Sequence, residues 1–125
     1  MKILLIVGAL ILAGAAAWFF LGRPQADHHG QAFRGLERAE IAALVDKPAD
    51  HLKKDLRIEG VLTRQCPATG CWFFLRGEGN KDLKVEMGDT TPKLPTRVGK
   101  RATVEGRLIK YGEGYEFVGV AVEFH

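Results

Sequence analysis

Cys66 and Cys71 are the only cysteines of the chain, with four residues between them in the run Cys66-Pro-Ala-Thr-Gly-Cys-Trp72. Pro67 and Gly70 are turn residues, so both sulfurs belong to one tight connection. Three chemistries suit such a pair. In an oxidising compartment it reads first as a disulfide, which for so short a loop contributes about 2 kcal/mol in the chain-entropy model. A redox-active pair is the second, although thioredoxin-type chemistry places two residues between its cysteines rather than four. The third is a soft-metal site. Two thiolates suit Cu(I), whereas zinc needs two further ligands and the sequence has no second cysteine pair to supply them.

Two other groups of residues carry chemical potential. His28, His29 and His125 can each ligate a metal, but without paired Cys or acidic spacing they read first as exposed polar residues in loose segments. His51 reads as a helix-end residue. Trp72, Phe73 and Phe74 put bulky groups on both faces of one strand. One face must fill the core. The other, Trp72 and Phe74 with Tyr111 and Tyr115 near it, can serve as a stacking platform for a base, a sugar or a protein side chain, although burial is the commoner fate of such a strand. There is no Ser-His-Asp set, no phosphate-cradling glycine loop and no His-Glu-x-x-His element. The expectation is a binding protein and not an enzyme, with no cofactor unless the cysteines or histidines hold a metal ion or haem.

These groups must be positioned by a chain with two unlike parts. Residues 3–21 form an uncharged run of 19 apolar or small residues after Met1 and Lys2. As a helix this run is about 28 Å long, close to the roughly 30 Å of a bilayer core. Trp18, Phe19 and Phe20 stand at its far end, where aromatic residues favour the interface, and Gly22, Arg23 and Pro24 end it. Residues 1–22 therefore read as a single-pass membrane anchor. A cleaved secretory signal is the rival, because a charge precedes the run and small residues occupy positions 13–17. Either reading exports the rest of the chain.

Residues 23–35, with Pro, Gly, Gln, Asp and two His, read as a linker. The domain then occupies residues 36–125. Ile41, Leu44 and Val45 mark one face of a short helix that Pro48 stops, and residues 49–54 add a turn. A near repeat follows: Leu56-Arg-Ile-Glu-Gly-Val-Leu-Thr-Arg64 and Ala102-Thr-Val-Glu-Gly-Arg-Leu-Ile-Lys110. In both, apolar and polar residues alternate up to Glu-Gly, where a bend or bulge costs little. Between them lie strands over residues 71–75 and 82–87, the latter with Leu83, Val85 and Met87 on one side; a turn at residues 112–114 and a strand over residues 115–124 close the chain. The fold expected is all-β: a five-stranded barrel of the oligonucleotide/oligosaccharide-binding (OB) type with a short preceding helix, plus the N-terminal transmembrane helix. Pro92 and Pro95 keep the third-to-fourth connection from holding much helix, a departure from the common plan of that barrel.

The residues 41–54, the Leu56-Arg-Ile-Glu-Gly-Val and Gly99-Lys-Arg-Ala-Thr-Val-Glu-Gly106 strands and the closing hairpin resemble the exported bacterial OB-fold families. The Cys66 to Trp72 run is similar to the Cys-Pro-x-x-Gly-Cys-Trp element of an uncharacterised branch of them. The resemblance covers roughly residues 38–124 and implies a fold and an envelope location, without an activity. The haem chaperone of cytochrome c maturation is also a membrane-anchored OB-fold protein whose haem-attaching His lies just past its last strand. His125 is similar in position, although no Tyr-containing tail follows it.

Charge excludes one class of partner. Of 18 Lys and Arg, two (Lys2 and Arg23) flank the apolar run, so 16 oppose 15 Asp and Glu and the remainder carries +1. Basic and acidic residues alternate closely along the strands, which makes a mixed solvated surface and not the one-signed patch that nucleic acid requires. The function expected is that of a membrane-tethered accessory module that docks on a protein complex of the envelope; the alternative is a copper, zinc or haem carrier built on Cys66 and Cys71 or on His125.

Overall fold

The computed structural model describes residues 2–21, 27–88 and 93–125, with side chains on the first helix described over residues 3–15. The chain runs α1 (Lys2–Leu21), β1 (Asp27–Gly30), α2 (Ile41–Asp46), a short 3-10 turn (Pro48–His51), β2 (Asp55–Gln65), β3 (Trp72–Arg76), β4 (Asp82–Glu86), β5 (Arg101–Tyr111) and β6 (Gly114–Phe124). The described residues are mostly β, with six strands in one sheet.

The helix expected at the N-terminus is present. Its described side chains include Ile3, Leu4, Leu5, Leu10 and Leu12, each at least two-thirds exposed. Among the described residues no helix is long and apolar enough to cross a membrane. The aromatic end at Trp18, Phe19 and Phe20 and the break at Gly22, Arg23 and Pro24 lie outside the described side chains and residues.

Alternation builds the sheet. Leu56, Ile58 and Leu62 of β2, Phe73 and Leu75 of β3, Leu83 and Val85 of β4, Val104 and Leu108 of β5 and Phe117 and Val122 of β6 all point inward and are buried. Period-two patterning is what lets one face of each strand join a shared core. β2 pairs antiparallel with β3 and β5, β3 with β4, and β5 with β6. β4 meets β6 in parallel through Val85 and Glu86. Neighbour to neighbour, the order β5-β2-β3-β4-β6 returns to β5. Ile41 and Leu44 of α2 are buried against this core, as the apolar spacing requires.

The near repeat pairs with itself, Leu56 through Val61 lying antiparallel to residues 101–106. Its second glycine sits at a register shift between Glu105 and Gly106 in the β5–β6 ladder. A Cβ at Gly106 would collide with the Val118 carbonyl oxygen, so the strands approach there only because the residue is glycine.

One expectation fails within residues 23–35. Asp27, His28, His29 and Gly30 do not form a loose spacer but pair as β1 with Phe124, Glu123, Val122 and Ala121 of β6. Residues 34–39 are also tied down. The Ala39 N–H donates to the Arg57 carbonyl and the Arg57 N–H to the Glu37 carbonyl, both at 2.8 Å. Buried Glu105 accepts the N–H groups of Arg34 (2.6 Å) and Leu36 (3.0 Å).

Candidate functional site

The β2–β3 connection is shaped by a bulge. Up to Leu62 the even positions of β2 point inward, but the pairing with β3 shifts between Leu62 and Arg64. The extra residue reverses the alternation, turning Gln65 inward and leaving Arg64 outward. Two consequences follow, one for each face.

On the inner side Gln65 clamps the cysteine turn. Its amide nitrogen donates to the Gly70 carbonyl (3.3 Å) and the Pro95 carbonyl (3.0 Å), and its amide oxygen accepts the Arg97 N–H (2.8 Å). The Leu94 N–H donates to the Thr69 carbonyl at 2.8 Å, so the segment after β4 is laced to the same turn. The turn itself closes through the Gly70 N–H to the Cys66 carbonyl (3.1 Å) and the Cys66 N–H to the Trp72 carbonyl (3.0 Å). Gly70 has φ +70, and a Cβ there would lie 2.6 Å from the Leu94 carbonyl oxygen. Only glycine meets both demands.

The two sulfurs are free thiols, both half-buried, so the disulfide expected of the pair is not formed. One hydroxyl lies between them. Thr69 Oγ1 donates to Cys71 Sγ at 3.0 Å and stands 3.7 Å from Cys66 Sγ. The Cys66 thiol is lowered from its usual 9.0 to about 7, first by the Thr69 backbone N–H, then by the Ala68 N–H and the Thr69 hydroxyl, with partial burial opposing. Pro67 has no N–H, so the donors that reach the sulfur come from the far half of the turn.

On the outer side the bulge completes a row across three strands. Arg64 of β2 is directly opposite Phe74 of β3, and Phe74 is directly opposite Lys84 of β4. Trp72 is two residues from Phe74, hence on the same face, and the rings meet edge to face with centroids 6.0 Å apart. The Arg64 guanidinium lies 5.9 Å from the Trp72 centroid and 6.0 Å from that of Phe74; Lys84 Nζ lies 6.0 Å from Trp72. Among the described residues Arg64 has no carboxylate at ion-pairing distance, whereas Lys84 reaches Glu116 at 3.6 Å. The four residues line a shallow groove of about 340 Å3. Phe74 and Lys84 are shared with a second groove of about 270 Å3, which Val45, Pro48 and Tyr115 complete. Tyr115 therefore belongs to this face. Tyr111, two-thirds exposed at the end of β5, lines neither groove.

A larger groove, about 420 Å3, shares no residue with these two. Half of its charged lining is paired, Arg38 with Glu59 at 3.7 Å and Arg76 with Asp82 at 2.8 Å, and Glu40, Glu78 and Arg101 complete its charges.

The histidines are placed apart from the cysteines. His28 Nδ1 lies 3.2 Å from Glu123 and its Nε2 2.6 Å from the Gln31 carbonyl oxygen, while His29 Nε2 lies 2.8 Å from Asp27. Asp27 also accepts from Arg97 Nε at 2.7 Å. His125 Nε2 is 2.9 Å from Thr103 Oγ1, whose hydroxyl donates to Glu59 at 3.1 Å. Among the described residues no three His, Cys, Asp or Glu side chains form a group that could hold a metal ion. Sequence reasoning found the cysteines and the aromatic face but missed Arg64, Lys84 and Thr69. Their signal is positional: Arg64 and Lys84 are legible only once the strand register is known, and Thr69 only once the turn is folded. No protein-family model matches the chain, and no curated protein matches it.

Proposed function

We propose that this chain is a membrane-tethered, extracytoplasmic module with an OB-type barrel, which docks on a protein of the bacterial envelope through the face of Arg64, Trp72, Phe74 and Lys84. The observation that carries the reading is this row itself: two half-buried aromatic rings on the outer face, bracketed by cations, with no element of the described chain laid over them. Aromatic and arginine side chains are the residues that dominate protein interfaces when they lie in a pocket that a partner can dry. Arg64, without a carboxylate partner among the described residues, selects a partner segment that brings a carboxylate beside an apolar side chain. Two further features support the reading. The cyclic strand order, with α2 packed on the core, suits the OB plan. The described apolar side chains of α1 find no protein cover, which suits a helix solvated by lipid, with the domain on the periplasmic side of the inner membrane.

The test is site-specific photo-crosslinking of the full chain in native membranes, with the probe at Phe74 or, as a control, at Tyr111. The expected result is a discrete adduct from position 74 that R64E or W72A abolishes, and none from position 111. Equal labelling from both positions, or monomer alone, overturns the reading.

A further inference from the structure

The cysteine turn carries a chemistry that the docking face does not need. We propose that Cys66 and Cys71 form a thiol–disulfide exchange site, with Cys66 as the attacking thiolate, Cys71 as the resolving thiol and Thr69 as the hydroxyl that serves both, acting on a disulfide of a peptide or protein.

The geometry carries three parts of this. First, the turn is held by groups that do not touch sulfur: Gln65 fixes Gly70 and the 93–97 segment, and the Leu94 N–H holds Thr69. The loop that carries the pair is therefore set before it reacts. Second, the pair can be reached. Both cysteines are half-buried and Pro67, Ala68 and Thr69 are exposed, whereas a purely structural thiol is usually enclosed. Third, a single hydroxyl contacts both sulfurs. A hydroxyl rotates freely enough to aim its one proton at whichever sulfur carries the charge. The charged sulfur of the pair is Cys66 before the first attack and Cys71 before the second, so Thr69 can serve each in turn without moving its backbone.

The chemistry balances as follows. The Cys66 thiolate attacks one sulfur of R–S–S–R′, that S–S bond breaks, and R′S⁻ leaves with the electron pair and takes a proton from water. Cys71 gives its proton to solvent and attacks the Cys66 sulfur of the mixed disulfide, and RS⁻ leaves with the electron pair and takes a proton from water. Two electrons pass from the cysteine pair to the substrate disulfide, the pair loses two hydrogens, and two thiols are released; the reverse sequence oxidises a dithiol.

Thiolate fraction and nucleophilicity pull in opposite directions, and magnitudes decide between them. A thiol titrating at about 7 in place of 9.0 is about fifty-fold more ionised at pH 7, while its intrinsic nucleophilicity falls about tenfold. Cys66 gains about fivefold as a nucleophile, and as a leaving group it gains as well. The spacing of four residues does not bear on this balance, because the donors come from the turn's own amides.

The inference is independent of the docking reading, since its test uses oxidised glutathione as the probe. The full chain is used in detergent with the W18F substitution, which leaves Trp72, the neighbour of Cys71, as the reporting fluorophore. Wild-type protein is expected to equilibrate with mixtures of reduced and oxidised glutathione, losing two hydrogens by mass in step with a change in Trp72 emission. C71S is expected to trap glutathione on Cys66, and C66S to trap it about fivefold more slowly at the same pH. Alkylation of Cys66 should follow pH with a midpoint near 7, moving upward in T69A and returning in T69S; these two variants keep both cysteines and so remain informative if the serine variants fold poorly. Three results each overturn the proposal: folded C71S that traps no glutathione, a wild-type bridge that reduced glutathione cannot open at any ratio, or stoichiometric metal on the reduced pair that blocks the exchange.

Discussion

β2 and β5 begin with nearly the same sequence and lie side by side, yet one leads into a clamped turn with two thiols and the other into a bare hairpin. The divergence starts at the bulge around Thr63. In β2 it turns Gln65 inward, where its amide binds Gly70, Pro95 and Arg97. In β5 the strand runs on to Tyr111, two-thirds exposed, and reverses through Gly112, around which a Cβ would meet nothing. The Glu-Gly pairs differ as well. Glu59 keeps a third of its side chain in solvent beside Arg38, while Glu105 is 1% exposed under the Arg34 and Leu36 amides. The same strand pattern thus fixes where a strand lies, and its neighbours decide what each residue does there.

Breaking this comparison at its tightest point should have the largest effect. G106A is expected to lower stability by about 3 kcal/mol or more, because the Val118 carbonyl must move to admit a methyl group; urea unfolding measures it, and a loss below that of G60A would contradict the packing described. Q65A comes next, at about 2 kcal/mol, since it strands two carbonyls and the Arg97 N–H in a partly dry region. It should also loosen the cysteine turn, seen as faster amide exchange at Thr69 and Gly70 with β5 unchanged.

E105Q sharpens the contrast through pH. Burial raises the Glu105 pKa, but the Arg34 and Leu36 N–H groups and the Arg57 guanidinium outweigh it, and the net position is below the usual 4.5. A carboxylate depressed on folding stabilises fully above its unfolded value and loses that stabilisation as pH falls through the lower folded value. Acid unfolding followed by circular dichroism should therefore be steeper below pH 4.5 in wild type than in E105Q. The smallest effects belong to the open hairpin. G112A should cost about 1 kcal/mol for its positive φ alone, and Y111A should stay within about 0.5 kcal/mol. A thermal midpoint for Y111A as low as that for Q65A would erase the distinction between the two turns.

What the sequence made legible follows from periodicity. Leu83 and Val85 on one side of β4 with Met87 just past its end, the break after α2 at Pro48, and the two Glu-Gly strands are all visible as apolar spacing, because core burial imposes it. β1 was not visible. Asp-His-His-Gly contains no apolar residue, and its place is set by hydrogen bonds to β6 and by Asp27 reaching Arg97, neither of which leaves a pattern. The candidate site was half legible. Cys66, Cys71, Trp72 and Phe74 stand out by type, but no Gly or Pro marks the bulge that places Arg64 opposite Phe74. The spacing of the cysteines says that they share a turn; only the folded turn puts Thr69 between two free thiols.

The pairing of β1 with β6 changes the arithmetic of encounter. From Leu21, the last residue of α1, to Asp27, the first of β1, there are six peptide steps, which reach at most about 20 Å. If α1 is held in a bilayer, the sheet begins almost at the lipid surface, and the domain searches a thin layer instead of the whole compartment. A partner in the same membrane then meets it at an effective concentration set by that reach, while a partner dissolved in the compartment gains nothing. In that setting weak contacts would suffice for the first and fail for the second, so the shortness of this connection would select partners by where they reside.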